Sequence, residues 1–324
     1  MRLALGETIG SYRLIRLIGQ GGMGEVYEAE HTELRKRMAL KVFTADGAKA
    51  DFLRKRFLAE GRILARLDHP RLVKVHDLGL DEKRDMPYFA MDLVVGADGS
   101  PWTLERCRLE RKPDESVIAA VYDDLREGLE YLHGQGVVHR DLKLENVLIG
   151  HDGRAVLSDF GVSRIFDEDL RRELSVTVTF AADKAPIMGS FGYLAPELKR
   201  GEPATPASDA YALGVLVFRL LTGVWYENDS AAMDLLAGFD ENWTTLLTQL
   251  LAEDPSRRLP LPEFVLRSPT VGCDLRAHRN RLKTHIAFVL GLIAVILGVW
   301  LYWGSRPQHY DFDEFFPPDE EVLQ

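Results

Sequence analysis

The chain has 324 residues, 46% of them hydrophobic, which is enough for two packed lobes and an appendage. Its formal net charge of -10 argues against a nucleic-acid binder, which would usually carry a basic face, so no DNA or RNA partner is expected. Only two cysteines occur, Cys107 and Cys273, far apart in segments read as cytosolic, which argues against a disulfide framework.

Met1 to Glu7 is too short an apolar run for a signal peptide, so the first domain is expected to stay in the cytosol. Apolar patterning over Tyr12–Ile18 and Val26–Glu30 predicts two strands around a glycine cluster, and Arg37–Phe43 predicts a third, giving a small antiparallel sheet. Phe52–Leu67 sets Phe57, Ile63, Leu64 and Leu67 among charges, as an amphipathic helix does, before His69-Pro70 ends it. Strands are expected at Leu72–Leu78 and Tyr88–Val95. Beyond Gly96 the pattern turns helical, most clearly over Ser116–His133 and Ser208–Thr222, and the folded domain is expected to close near Arg267 to Thr270. The fold class is α+β: a strand-rich lobe over residues 1–95 and a helical lobe over 96–268.

Gly19-Gln20-Gly21-Gly22-Met23-Gly24 fits G-x-G-x-x-G, in which missing Cβ atoms let backbone N–H groups close over phosphates. A dinucleotide-binding turn has the same spelling but leads into a helix, whereas Val26 continues here as a strand. Ala39-Leu40-Lys41 puts a lysine on the third strand, within reach of α- and β-phosphates, and Glu60 lies on the following helix where it can pair with that ammonium. Val26, Ala39 and Leu148 are placed to sandwich an adenine ring, and are equally compatible with plain core. Met91-Asp92-Leu93-Val94 should join the lobes and offer the backbone of Asp92 and Val94 to the adenine edge.

His139-Arg140-Asp141-Leu142-Lys143-Leu144-Glu145-Asn146, followed by Asp159-Phe160-Gly161, completes the pattern. Residues from about Tyr12 to Leu266 resemble a protein kinase domain, closest in kind to the bacterial eukaryotic-like (Hanks-type) Ser/Thr kinases, and the resemblance implies the two-lobed kinase fold. It also implies that Asp141 orients or accepts the proton of the attacking hydroxyl, that Asn146 and Asp159 hold Mg²⁺ or Mn²⁺ on ATP, and that Lys143 steadies the transferring phosphate. Gly192-Tyr193-Leu194-Ala195-Pro196-Glu197, Asp209 and Asp254-Pro255-Ser256-Arg257-Arg258 match the family's large lobe. They imply a Glu197–Arg258 salt bridge and an Asp209 brace for the catalytic loop, both scaffold. Leu64, Val75, His139 and Phe160 match the apolar column that aligns the lobes.

The loop between Gly161 and Gly189 carries Ser163, Ser175, Thr177 and Thr179. Activation by phosphorylation at Ser175, Thr177 or Thr179 is expected, with Arg140 as the phosphate's partner. Ser190 stands where the family commonly has threonine and Phe191 where bacterial relatives usually show proline, and Gly223 to Trp243 is short for the substrate-facing region.

Ile286–Trp303 is an uncharged apolar run of 18 residues, about 27 Å long as a helix, which just spans a hydrocarbon core. Arg276, Arg279, Arg281 and Lys283 precede it, and Asp311, Asp313, Glu314, Asp319, Glu320 and Glu321 follow. A single-pass anchor in the cell membrane is therefore expected, with residues 269–285 a basic linker, the kinase domain cytoplasmic and the acidic tail 304–324 outside. Ala287, Gly291, Ala294 and Gly298 line one helix face, which suits a homodimer and suits no contact at all equally well. The reading is a membrane-anchored Ser/Thr kinase acting on protein substrates. Its rivals are a membrane-tethered scaffold that has kept the kinase fold, and a small-molecule kinase on the same fold.

Overall fold

The computed structural model describes residues 3–21, 23–45, 47, 50–159, 191–227 and 230–266. Thr8–Ile9 (β1), Tyr12–Gln20 (β2), Gly24–His31 (β3), Arg37–Phe43 (β4), Val75–Asp81 (β5) and Met86–Met91 (β6) form one antiparallel sheet in the order β1-β2-β3-β4-β6-β5. Strand β4 divides the lobe. Its Met38, Leu40 and Val42 join Tyr12, Leu14, Tyr27 and Tyr88 in an outer core, so strand alternation turns Ala39, Lys41 and Phe43 to the opposite face. There Phe43 meets Phe57 of the helix Ala50–Leu64 (α1), edge to face at 5.7 Å. At the start of β3, Gly24 pairs with Phe43, and a Cβ on it would run into the carbonyl oxygen of Val42.

The bounds of α1, β5 and β6 depart from the sequence pattern. Helix α1 stops at Leu64, and Leu67 follows in turns while remaining buried. Strand β5 begins at Val75 because Leu72 bridges to Leu157 and the Val73 N–H donates to the Leu157 carbonyl at 2.9 Å. Strand β6 ends at Met91 because Leu93, Val94 and Val95 belong to the segment joining the lobes, where an apolar run does not require a strand.

The helical lobe contains Leu104–Arg111 (α2), Glu115–Gly134 (α3), a 3₁₀ turn at Leu144–Asn146, the hairpin Val147–Ile149 (β7) and Ala155–Leu157 (β8), Pro196–Lys199 (α4), Pro206–Thr222 (α5), Ser230–Asp234 (α6) and Glu241–Leu250 (α7). Asp114 caps α3 by accepting from the Ser116 and Val117 amides, both at 3.0 Å. Helix α5 is buried nearly all round, as its almost unbroken apolar sequence requires. Pro206 starts it and Gly223, at φ +79°, ends it.

The connection from α1 to β5 is fastened to this lobe. The Asp68 amide donates to Tyr131 Oη at 3.1 Å, the His69 ring stacks on that tyrosine at 4.8 Å, and Arg71 Nε lies 3.1 Å from buried Asp124. The chain divides into Met1–Gly272 and Cys273–Gln324. The second unit, with the expected span Ile286–Trp303, lies outside the described residues. Among the described residues no helix is long and apolar enough to cross a membrane.

Candidate active site

The glycine loop joins β2 to β3: Gly19 and Gln20 end one strand, Gly24 opens the other, and the Gly21 amide donates to the Gly24 carbonyl at 2.8 Å. Met23 is half-buried within the turn, and Gly22 lies outside the described residues. At Gly19 the nearest atom to an added Cβ is 3.6 Å away, and at Gly21 it is 3.9 Å away. The fold itself therefore does not demand glycine at either position, which fits a cradle kept bare for phosphate oxygens.

Val26 pairs with Lys41, and Ala39 with Met91, which puts Val26, Ala39 and Lys41 on neighbouring strands beside the segment joining the lobes. Leu148 lies on β7, where it is half-buried and bridges to Thr103. Asp92 and Val94 lie on the joining segment. The Asp92 carboxylate meets His76 Nε2 at 2.6 Å and its amide donates to the Lys74 carbonyl at 3.0 Å, so its own carbonyl is the backbone group that can serve a ligand.

Lys41 Nζ lies 2.7 Å from Glu60 Oε1 and 3.0 Å from Asp159 Oδ1. Burial alone would pull the ammonium down, but the Asp159 and Glu60 carboxylates outweigh it and hold it above the ordinary lysine range. Conversely, the Lys41 charge holds Asp159 below the usual carboxylate range against its desolvation. Burial pushes Glu60 up, with Lys41 opposing.

Lys143 Nζ donates to Asp141 Oδ2 at 2.8 Å. The Asn146 amide nitrogen donates to the Asp141 carbonyl at 2.8 Å, to its Oδ2 at 2.9 Å and to the Asp159 carbonyl at 3.4 Å. With its NH₂ engaged in this way, Asn146 has its Oδ1 as the end able to ligate a cation. That atom and the Asp159 carboxylate are hard oxygen donors of the kind Mg²⁺ takes. Arg140 at φ +68° and Asp159 at φ +50° are both in the left-handed region, which non-glycine residues enter only when their surroundings compel it.

Buried Asp209 on α5 supplies part of that compulsion. It accepts from the His139 and Arg140 amides at 2.8 and 2.9 Å, and its Oδ2 lies 2.8 Å from His133 Nε2. Glu197 and Arg258 form a buried two-pronged pair at 2.7 and 3.0 Å, with Ser208 Oγ donating to Glu197 at 2.9 Å. Leu64, Val75 and His139 are all buried. Phe160, Ser163, Ser175, Thr177, Thr179 and Ser190 lie outside the described residues.

Residues 12–268 match the model of the protein kinase domain. The chain belongs to the protein kinase family. It is 33% identical over 258 residues to the serine/threonine-protein kinase PrkC of Bacillus subtilis, a match that takes in 79% of this chain and 36% of that protein. It is 36% identical over 228 residues to the serine/threonine-protein kinase PknH of Mycobacterium bovis, with coverage of 70% and 36%. The chain thus spans about a third of the length of the curated relatives it matches. The crystal structure of the Mycobacterium tuberculosis PknI kinase domain superposes with a TM-score of 0.58 at 28% identity, covering 81% of this chain and 95% of that one.

This kinase domain also engages residues that the sequence reading passes over. His76 holds Asp92 from the neighbouring strand. Arg219, interrupting the apolar sequence of α5, bonds Tyr193 and Glu105. The signal for Arg219 is legible: a lone cation in a fully buried helix needs a partner.

Proposed function

We propose that this chain is a Ser/Thr protein kinase that transfers the γ-phosphoryl group of ATP to protein hydroxyls. The observation that carries the reading is the Lys41 ammonium standing between Glu60 on α1 and Asp159 at the mouth of the cleft. Held there, a lysine presents a fixed positive charge to α- and β-phosphates. The glycine loop closes over those phosphates with backbone N–H groups, while Val26, Ala39 and Leu148 bracket the adenine and the backbone of Asp92 and Val94 reads its edge.

Asn146 and Asp159 would hold Mg²⁺ or Mn²⁺, which when bound neutralises phosphate oxygens and draws them into line. Asp141 accepts or orients the proton of the substrate hydroxyl, and Lys143, 2.8 Å from it, faces the phosphate as it passes. The identity to named Ser/Thr kinases supports protein hydroxyls as the acceptor.

The same reading includes autophosphorylation at Ser175, Thr177 or Thr179, and anchorage of the domain on the cytoplasmic face of the cell membrane by Ile286–Trp303. The apolar run and its basic flank support the anchor. Labelling of cysteines introduced at 280 and 310 in membrane vesicles tests it, and equal exposure on one side would refute it.

The experiment for the activity is labelled-phosphate transfer from ATP and Mg²⁺ by the full chain in membranes to generic protein acceptors. Lys41→Met and Asp159→Asn are the controls. Transfer lost in both establishes the kinase. Folded, ATP-binding protein that transfers nothing points to a tethered scaffold.

A further inference from the structure

Arg219 lies in the last turn of α5, almost wholly buried, and meets three side chains from outside that helix. Its Nη1 donates to Tyr193 Oη at 2.7 Å, its Nη2 donates to Glu105 Oε1 at 3.1 Å, and the guanidinium lies 3.9 Å from the centre of the Trp225 ring. Glu105, on α2, is fixed in turn by two bonds of 2.8 Å from Arg108. A residue needed only to fill that space would be apolar, like its neighbours on the helix. A guanidinium is suited instead to hold planar partners at set angles.

The partner that matters is Tyr193. Its oxygen also accepts the buried backbone N–H of Leu144, at a long 3.4 Å. Leu144 follows Lys143 and opens the 3₁₀ turn that carries Asn146. A buried amide without an acceptor is costly, and the Tyr193 hydroxyl is the acceptor the structure gives this one. Burial pushes that hydroxyl up to about 12, so it remains neutral and its lone pairs face both donors. A path of contacts therefore runs from α5 through Tyr193 to the peptide between the lysine and the asparagine that contact Asp141.

We propose that Arg219 is a positioning residue for phosphoryl transfer, which orients Tyr193 as a strut against the Leu144 amide and so sets Lys143 and Asn146 around Asp141. The proposal rests on the kinase reading above. Phosphoryl transfer depends on placement more than on covalent help, so loosening this strut lowers the rate of the chemical step and leaves nucleotide binding intact.

The test compares Arg219→Gln, Tyr193→Phe and the double variant of the full chain in membranes. It reads kcat and the KM for ATP, together with deuterium exchange of the peptide that includes Leu144. The expected result is a roughly tenfold or larger fall in kcat, an unchanged KM for ATP, faster exchange at Leu144, and a double variant no worse than the worse single one. A wild-type kcat in Tyr193→Phe, or exchange at Leu144 equal to wild type, overturns the proposal. Tyr193→Phe removes one oxygen and keeps the ring, so it decides the matter even where Arg219→Gln fails to fold. If the unaltered chain transfers no phosphate to any acceptor, the kinase reading fails, and exchange at Leu144 alone then decides whether the strut exists.

Discussion

Glu60 gives one carboxylate oxygen to Lys41 at 2.7 Å and buries the other, Oε2, with no hydrogen-bond partner among the described residues. Among the described residues, the ion pair is therefore the compensation offered to a nearly inaccessible carboxylate. Lys41→Met is expected to lower kcat/KM at least about a hundredfold, the scale of losing one preorganised charge donor. Glu60→Gln keeps shape and one acceptor but not the charge, and is expected to cost about tenfold, chiefly in the rate. Steady-state transfer assays on both variants, with nucleotide binding measured separately, check this.

Arg258 is fully buried and spends every N–H it has. Nε donates to the Ala252 carbonyl at 2.7 Å, and the two Nη groups reach Glu197, Ala207 and Glu253 at 2.7 to 3.1 Å. Arg258→Met leaves the Glu197 carboxylate buried beside an apolar chain and should cost about 3–5 kcal/mol. Thermal unfolding should show a drop of roughly 10 °C, whereas an exposed pair such as Arg200–Glu202 should barely register when broken.

Asp98 organises the loop after the lobe junction. Its carboxyl is lowered to about 2, first by the Trp102 indole N–H and then by the Ser100 amide and hydroxyl and the Arg106 charge. A carboxyl with a depressed folded value contributes stability that is complete above its ordinary value near 3.8 and lost as the pH falls through about 2. The Tm gap between the wild type and Asp98→Ala should therefore be widest above pH 5 and close between pH 4 and pH 2. A gap that holds constant across that window would show the carboxylate's charge to be irrelevant.

Two glycines in one loop should separate fold from ligand. Gly24→Ala drives a methyl into the Val42 carbonyl and should destabilise the sheet by about 1–3 kcal/mol. Gly21→Ala meets nothing nearer than 3.9 Å and should leave Tm unchanged while raising the KM for ATP. Melting curves and ATP titrations on the two variants distinguish these outcomes.

The sequence makes β4 legible to the residue, because its short run Met38–Phe43 is apolar but for Lys41 and is bounded by charge at Arg37. The ends of β5 and β6 are not legible. Leu72 and Val73 are apolar because they pair with the β8 hairpin, and Leu93 to Val95 because they join the lobes, and tertiary demands of that kind leave a strand-like signature. In the site, Lys41, Asp141, Asn146 and Asp159 are findable because the chemistry fixes their spacing along the chain. Tyr193 and Arg219 lie 26 residues apart, and their meeting depends on how α5 crosses the catalytic loop, which no local pattern records.

The fastening of the Asp68–Val73 connection to Tyr131, Asp124 and Leu157 gives helix α1 two allegiances. Its lower end is pinned to the helical lobe, while its partner lysine travels with the sheet. Any swivel of the sheet on the helical lobe must then appear as a change in the gap between Glu60 and Lys41. That gap works as a gauge of lobe rotation, and a pair of spectroscopic probes on α1 and β4 would read the conformational cycle of the enzyme directly.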